Sequence, residues 1–120
     1  AVAAIHAGWR GTAARIAERA IALMSERFGT RPADLHAAIG PGIGACCYEV
    51  GPEVREQFGG QGRGPLDLPL ENACQLQQSG VTRDRIYTSN LCTKCLAGEF
   101  HSFRRDGDAA GRMYSFAGVL

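Results

Sequence analysis

An amphipathic helix between Thr12 and Gly29 is the feature that most constrains how this chain can fold. Its apolar residues recur at steps of three and four, which places them on one face of an α-helix, and charged residues fall on the opposite face. Thr12 is predicted as the N-cap and Gly29 as the C′ residue that ends the helix. A helix with one apolar face needs a second layer to pack against. The predicted inward positions are Ala13, Ile16, Ala17, Ala20, Ile21, Met24 and Phe28, and the outward positions are Arg15, Glu18, Arg19 and Glu26.

Short apolar runs bounded by turn residues predict strands before and after this helix. Four glycines and a proline within GPGIGACCYEVG, residues 40–51, predict irregular structure there. The order of elements predicts an α+β or layered α/β fold, and 120 residues suit a single domain with one modest core. The predicted strands are 1–6, 35–39, 86–88 and 113–120, and the further helices are 52–58 and 70–78, the latter ended by Gly80.

Composition narrows the class of protein. A net charge of +1 gives no support for a nucleic-acid surface. No apolar run approaches membrane-spanning length, and no signal-peptide pattern is present. Five cysteines, two of them adjacent, make a poor disulfide framework, so we expect a reduced, cytoplasmic protein. The first residues, AVAAI, resemble the later part of a buried strand whose beginning is missing. We therefore expect that the chain is incomplete at its N-terminus.

His6, Trp9 and Arg10 form the first candidate site, within IHAGWRG. His6 falls at the end of a predicted strand, where open sheets keep functional groups, and an imidazole can ligate a metal or transfer a proton near neutral pH. The alternative is a structural histidine bonded to the backbone. The indole of Trp9 could stack on the ring of a ligand, and the guanidinium of Arg10 could bind an anion through two parallel hydrogen bonds. They could equally be a lid over the core and a surface ion pair.

The cysteines leave several interpretations open. Adjacent Cys46 and Cys47 are not expected to ligate one metal together, since only one should face the interior. Cys92 and Cys95 form a CxxC motif. His101 with Cys46 or Cys47 could complete a zinc knuckle, and a redox pair is another possibility. Two ordinary buried thiols are the favoured interpretation.

A third cluster lies in FHSFRRDG, where Arg104 and Arg105 are followed by Arg112. Arginines placed so closely repel one another unless anions neutralise them. Neighbouring carboxylates could neutralise the arginines, and a bound phosphate is the alternative.

Four motifs, in this order, resemble the C-terminal half of the YfiH family: HAGWRG, IGPGIGACCYEVG, NLCTKC, and FHSFRRDG with GRM. Members have been called laccase-domain proteins, multicopper polyphenol oxidoreductases, peptidoglycan editing factors and purine nucleoside phosphorylases. The resemblance implies that residues 1–120 are the C-terminal part of a single domain with an α/β/β/α four-layer fold. It also implies a His–Cys–His cluster that holds zinc or, alternatively, copper. His6 matches its third member. The other two lie upstream in the family, and none of the four cysteines in the motifs matches the catalytic cysteine.

The resemblance further implies a metal-dependent purine nucleoside phosphorylase and adenosine deaminase acting on adenosine, inosine and methylthioadenosine. His6 would be metal ligand or general base. Arg10 and one of Arg104 and Arg105 would hold phosphate or a substrate anion, with Trp9 beside the pocket. The alternatives are a copper-dependent polyphenol oxidase, a peptidoglycan-precursor hydrolase and an inactive fragment. A multicopper oxidase needs about ten histidine ligands, and this chain has three histidines.

Overall fold

A computed structural model describes all of residues 1–120, which form five short or medium helices and two small sheets. The helices are α1 (Trp9–Ala13), α2 (Ile16–Phe28), α3 (Pro52–Arg55), α4 (Leu68–Gln78) and α5 (Phe103–Asp106). The strands are β1 (Ala37–Ile39), β2 (Glu49–Val50), β3 (Gly64–Pro65) and β4 (Ile86–Thr88). Single 3₁₀ turns lie at Pro32–Asp34, Glu56–Phe58, Arg83–Arg85 and Gly107–Ala109.

The sheet that organises the chain is a parallel pair formed by β1 and β4, in which Ala37 is opposite Ile86 and Ile39 is opposite Thr88. Helix α4 packs against both strands and against α2. A separate antiparallel pair joins β2 to β3. Helices and small sheets in this mixture confirm the predicted α+β class. None of the helices combines the length and the apolar character that crossing a bilayer requires.

Two apolar regions hold the elements together. One is a buried cluster on and beside β2 and β3, against which Trp9 packs, and its members are Tyr48, Val50, Leu66 and Leu68. The other is the inner face of α2, where Ala17, Ile21 and Met24 are buried as the helical spacing predicted. Phe28, also predicted to face inward, is 70% exposed. It is the last residue of α2.

The start of the predicted helix is different in the structure. A short helix begins at Trp9, and Arg15 then adopts a left-handed conformation with φ of 58°, so α2 starts only at Ile16. Thr12 is therefore not an N-cap but a fully buried residue inside α1. The prediction failed because Thr12 uses its hydroxyl in tertiary contacts instead of capping. Gly29 ends α2 with φ of 66°, as predicted.

Residues 1–6 and 113–120 were predicted as strands and form none. A strand needs a neighbour to accept its backbone hydrogen bonds. The β1–β4 pair and the β2–β3 pair include neither segment. Apolar composition alone therefore gave the wrong assignment for both segments. The other predicted elements are present. Strand Ile86–Thr88 has its predicted bounds, and α4, predicted over 70–78, starts two residues earlier at Leu68.

Buried amide groups on α4 fix the position of α1. The Nδ2 group of Asn72 donates to the Thr12 hydroxyl at 2.9 Å, and the Nε2 group of Gln75 donates to the Thr12 carbonyl at 2.8 Å. The Thr12 hydroxyl in turn donates to the carbonyl of Ala7 at 3.3 Å. These hydrogen bonds connect the segment that carries His6 to α4.

Replacing Gln75 by alanine is expected to lower the free energy of unfolding by about 1–3 kcal/mol, because a buried hydrogen bond to the Thr12 carbonyl is lost and that carbonyl keeps only the Arg15 amide as donor. Urea unfolding measures the change. Gln77→Ala, at an exposed position of the same helix, is the control and should change the free energy by less than about 0.5 kcal/mol. Equal midpoints for the two variants would show that the buried amide is energetically unimportant.

Candidate functional site

His6 lies in the segment before α1, and its side chain is exposed. The ring lies against the backbone of Gly8, where a Cβ atom would be 3.5 Å from Nε2 of His6. The His6 carbonyl is equally close to Gly11, at 3.6 Å from the position of a Cβ atom there. Small residues around the imidazole thus leave it open to a ligand.

Trp9 and Arg10, the first residues of α1, face different surroundings. Trp9 is half-buried and packs against the cluster around Tyr48. Arg10 is exposed, and its guanidinium carbon lies 4.8 Å from the centroid of the Trp9 ring. This cation–π contact orients the arginine on the same side as the indole, with its donors free of protein hydrogen bonds.

Arg104, on α5, is held over the same cluster. Its guanidinium carbon lies 4.9 Å from the centroid of the Tyr48 ring, and Nη1 donates to the Glu49 carbonyl at 3.1 Å. The side chain is exposed, and the remaining donors of the guanidinium are available to an anion.

Arg105 differs from Arg104, because all of its donors are used within the chain. Nη1 donates to the carbonyls of Thr93 and Lys94 at 3.0 and 3.3 Å. Nη2 donates to the Phe100 carbonyl at 2.9 Å and to Asp106 at 2.8 Å, and Nε donates to the same carboxylate. The hydrogen bonds from Arg105 hold the pKa of Asp106 below its usual value. Arg105 therefore braces the loop that contains the CxxC motif.

The structure brings four cysteines together, which the sequence did not predict. The Sγ atoms of Cys46, Cys47, Cys92 and Cys95 all lie within 4.8 Å of one another. Sγ of Cys95 is 3.4 Å from that of Cys47 and 3.6 Å from that of Cys46. Two of the four thiols are exposed and two half-buried, so the expectation of ordinary buried thiols is wrong.

Cys46 and Cys47 were not expected to serve one metal together, yet the structure places both thiols in the same group. Adjacent side chains point to opposite faces in extended strands, whereas the Cys47 amide donates to the Gly44 carbonyl at 3.0 Å and closes a turn. In this turn both side chains reach the same space. His101, considered as a partner for the CxxC motif, lies outside the group, and its Nδ1 accepts from the Gly111 amide at 3.2 Å.

The parallel sheet explains why the cysteines meet. One cysteine loop follows β1 and the other follows β4, so both leave the same edge of the sheet. The Thr93 amide donates to the Gly42 carbonyl at 3.0 Å, and the Gly42 amide donates to the Leu91 carbonyl at 3.3 Å. The sequence shows one adjacent cysteine pair, Cys46 and Cys47, and one CxxC pair, Cys92 and Cys95. Only the pairing of β1 with β4 shows that the two pairs share one site.

The thiols of the group differ in acidity. Burial favours the neutral form of Cys92, but amides of Gly44, Cys95 and Lys94 outweigh it and lower its pKa to about 6. Hydrogen bonds with Cys47, Cys46 and Cys92 raise the pKa of Cys95 to about 12. Cys92 therefore ionises before Cys95, and its Sγ accepts a hydrogen bond from the Gly44 amide at 3.3 Å.

A cavity of about 150 Å³ opens at the carboxyl ends of β1 and β4. Loops that follow the two strands line it, and Cys46 and Cys92 contribute to its wall. Crevices at this edge of a parallel sheet are frequent ligand sites. The cysteine group thus borders this cavity.

This chain supplies only part of the metal site that the family resemblance implies at His6. The four cysteines are the one group of three or more potential metal ligands among residues 1–120, and His6 does not belong to it. His36 stacks on Tyr87, with ring centroids 6.1 Å apart. A single imidazole is not a metal site, so a metal at His6 requires ligands from outside this chain.

Comparison with known proteins identifies the class. A family described as multi-copper polyphenol oxidoreductase laccase matches residues 1–120. The chain belongs to this family, the laccase-domain or YfiH family whose motifs the sequence carries. The crystal structure of hypothetical protein YfiH from Bacillus licheniformis superposes with a TM-score of 0.80 at 36% identity, over 83% of this chain and 43% of that one. The YfiH-like fold class is thereby confirmed.

Curated relatives carry names of nucleoside enzymes. Purine nucleoside phosphorylase YlmD of Geobacillus stearothermophilus is 39% identical over 127 aligned positions, covering 94% of this chain and 46% of that protein. Adenosine deaminase RL5, from an unknown prokaryotic organism, is 36% identical over 128 positions, covering 95% and 48%. The chain spans about half the length of the curated relatives it matches.

Proposed function

We propose that the protein carrying this chain is a purine nucleoside phosphorylase that also deaminates adenosine, with adenosine, inosine and methylthioadenosine as substrates and phosphate as co-substrate. The observation that carries the proposal is the HAGWRG segment, in which His6 is exposed while Trp9 anchors the following helix to the core. Family membership supports it, because relatives are named for both activities. Residues 1–120 are proposed as the C-terminal part of a single domain in a cytoplasmic enzyme.

His6 is proposed as the catalytic residue of this chain and as one ligand of a zinc ion, or alternatively of copper. Its partners would be a cysteine and a histidine outside the chain, as the family pattern implies. A metal with an open coordination position would supply an activated water for deamination. In the alternative role, with its ring nitrogen not bound to a metal, the imidazole would act as general base and take a proton from the attacking nucleophile.

The arginines are proposed to hold the anion. In phosphorolysis a phosphate oxygen bonds to C1′ of the ribose, the glycosidic bond breaks, and the purine leaves with the bonding electrons. Arg10 and Arg104 neutralise the phosphate, and both have unused donors beside an aromatic ring. Arg105 was an equal candidate from sequence. Its bonds to the CxxC loop favour Arg104 for this role. Trp9 would pack beside the purine pocket.

The direct test is release of purine base from inosine by the complete protein, measured with and without phosphate. A phosphorylase releases base and ribose 1-phosphate only when phosphate is present. Release that does not depend on phosphate would contradict the proposal, and ammonia release from adenosine measures the second activity separately.

Arg10→Ala in the complete protein is expected to raise the KM for phosphate about 10- to 100-fold, since one charge-assisted hydrogen bond to the anion is lost. Steady-state kinetics at varied phosphate concentration measure the change. Arg27→Ala, at an exposed position on α2, serves as the control for loss of one positive charge. An unchanged phosphate KM in Arg10→Ala would remove this residue from the anion site.

The copper oxidase alternative is favoured by the family description alone. This chain supplies three histidines, of which none joins a group of three or more potential ligands. Oxygen consumption with a phenolic substrate, together with metal analysis, separates an oxidase from a nucleoside enzyme.

A further inference from the structure

We propose that Cys46, Cys47, Cys92 and Cys95 form a tetrathiolate site for a single zinc ion, which links the loop after β1 to the loop after β4. This site is separate from the one proposed at His6 and uses none of the residues assigned there. Its role is structural, since all four ligands come from the protein and no position is left for substrate.

The spacing of the sulfur atoms fits one tetrahedral ion. A zinc ion with Zn–S bonds of about 2.3 Å separates its ligand sulfurs by about 3.8 Å. Two of the separations, 3.4 and 3.6 Å, fall close to that value, and all pairs are within 4.8 Å. Small side-chain rotations are enough to reach the tetrahedral arrangement. An iron–sulfur cluster would hold its ligands further apart.

The sequence spacing also suits zinc. Cys92 and Cys95 supply a C-x₂-C half-site of the type that structural zinc sites use. Cys46 and Cys47 are adjacent, which is unusual, but the turn closed by Gly44 and Cys47 directs both thiols to one point. Four soft donors in tetrahedral arrangement select zinc over harder divalent cations.

Supporting hydrogen bonds hold the two loops in place around the sulfurs. The Gly44 amide donates to Sγ of Cys92 at 3.3 Å. Arg105 donates to the carbonyls of Thr93 and Lys94, between the two cysteines of the CxxC motif. Such outer contacts are what metal sites use to orient their ligands. Gly44 also has a packing role, since a Cβ atom there would lie 3.3 Å from Sγ of Cys46 and 3.4 Å from Cβ of Cys92.

Zinc at this position would fix the wall of the cavity at the carboxyl edge of the sheet, which Cys46 and Cys92 line. Without it, the loops are joined at this edge by backbone hydrogen bonds around Gly42. The exposed thiols of Cys46 and Cys95 give the ion a path from solvent.

The test is metal analysis of the complete protein purified under reducing conditions and dialysed with zinc. To separate the two sites, we compare it with His6→Ala. The unmutated protein is expected to hold the zinc of the cysteine site in addition to any metal at His6. In His6→Ala only the cysteine site remains, so about one zinc ion per chain is expected there. Cys95→Ser in the His6→Ala background should reduce the zinc content to less than about 0.1 per chain. Cys74→Ser, which changes the one cysteine outside the group, is the matched control and should retain the ion.

Cobalt substitution in unmutated protein and in His6→Ala gives a readout that does not depend on how cysteine variants fold. Thiolate-to-cobalt charge-transfer bands and intense visible bands of a tetrahedral ion are expected in both. Cys95→His, which keeps a donor, should shift the visible bands without abolishing them. Three results would overturn the proposal: cobalt spectra of His6→Ala without thiolate bands, iron in place of zinc, or a disulfide among the four clustered cysteines in protein denatured with a chelator.

Discussion

Replacing His6 by alanine in the complete protein is expected to lower kcat/KM for phosphorolysis of inosine by about 10²- to 10⁴-fold, the range typical for loss of a positioned proton-transfer group. The effect is large because the imidazole is proposed to act directly on the reacting groups. The expectation rests on its exposed position before α1 and on the HAGWRG motif. Phosphate-dependent release of purine base measures it.

His36→Ala is the control for this prediction, because His36 is also exposed and its ring stacks on Tyr87 of the sheet. It should leave kcat/KM within about threefold of the unmutated protein, as expected for a surface change. Circular dichroism and thermal unfolding establish that both variants fold. If His6→Ala retained activity equal to that of His36→Ala, the proposed site would have to be placed elsewhere.

Arg105→Ala is expected to give the largest loss of stability, about 2–4 kcal/mol in the free energy of unfolding. The side chain is 24% exposed and donates to three backbone carbonyls and one carboxylate. Thr93, whose carbonyl is among these acceptors, is itself 5% exposed. Removing the guanidinium leaves these acceptors without donors in a loop that holds two of the clustered cysteines.

Arg104→Ala is the matched control, since the neighbouring arginine makes one backbone hydrogen bond and one contact with a ring. Its expected loss is about 0.5–1 kcal/mol. Arg105→Lys should recover little of the lost stability, because an ammonium group cannot reproduce the planar arrangement of donors. Denaturant unfolding measures all three variants. Equal losses for Arg104→Ala and Arg105→Ala would show that the loop does not depend on Arg105.

Local patterns were sufficient to predict several elements. Three- and four-residue spacing located the buried face of α2, and Gly29 marked its end because glycine tolerates a left-handed backbone. The run Ile86–Thr88 was assigned as a strand with its observed bounds. His6 was singled out by its motif, and the structure leaves its ring exposed to solvent.

Patterns failed where tertiary partners decide the outcome. Thr12 has the chemistry of an N-cap, but Asn72 and Gln75, about sixty positions away, bind it inside α1. Arg104 and Arg105 are adjacent and chemically identical in sequence. The structure separates them, because one lies over Tyr48 and the other is enclosed by the CxxC loop.

The amino-acid sequence by itself determined the family, the α+β class and the candidate role of His6, because these depend on motifs and local periodicity that are readable along the chain. Only the tertiary structure decided that Cys46 and Cys47 meet Cys92 and Cys95. The physical reason is the parallel pairing of β1 with β4, which brings two loops separated by some fifty residues to one edge of the sheet. Hydrogen bonding between strands so far apart in sequence leaves no local pattern from which that contact could be predicted.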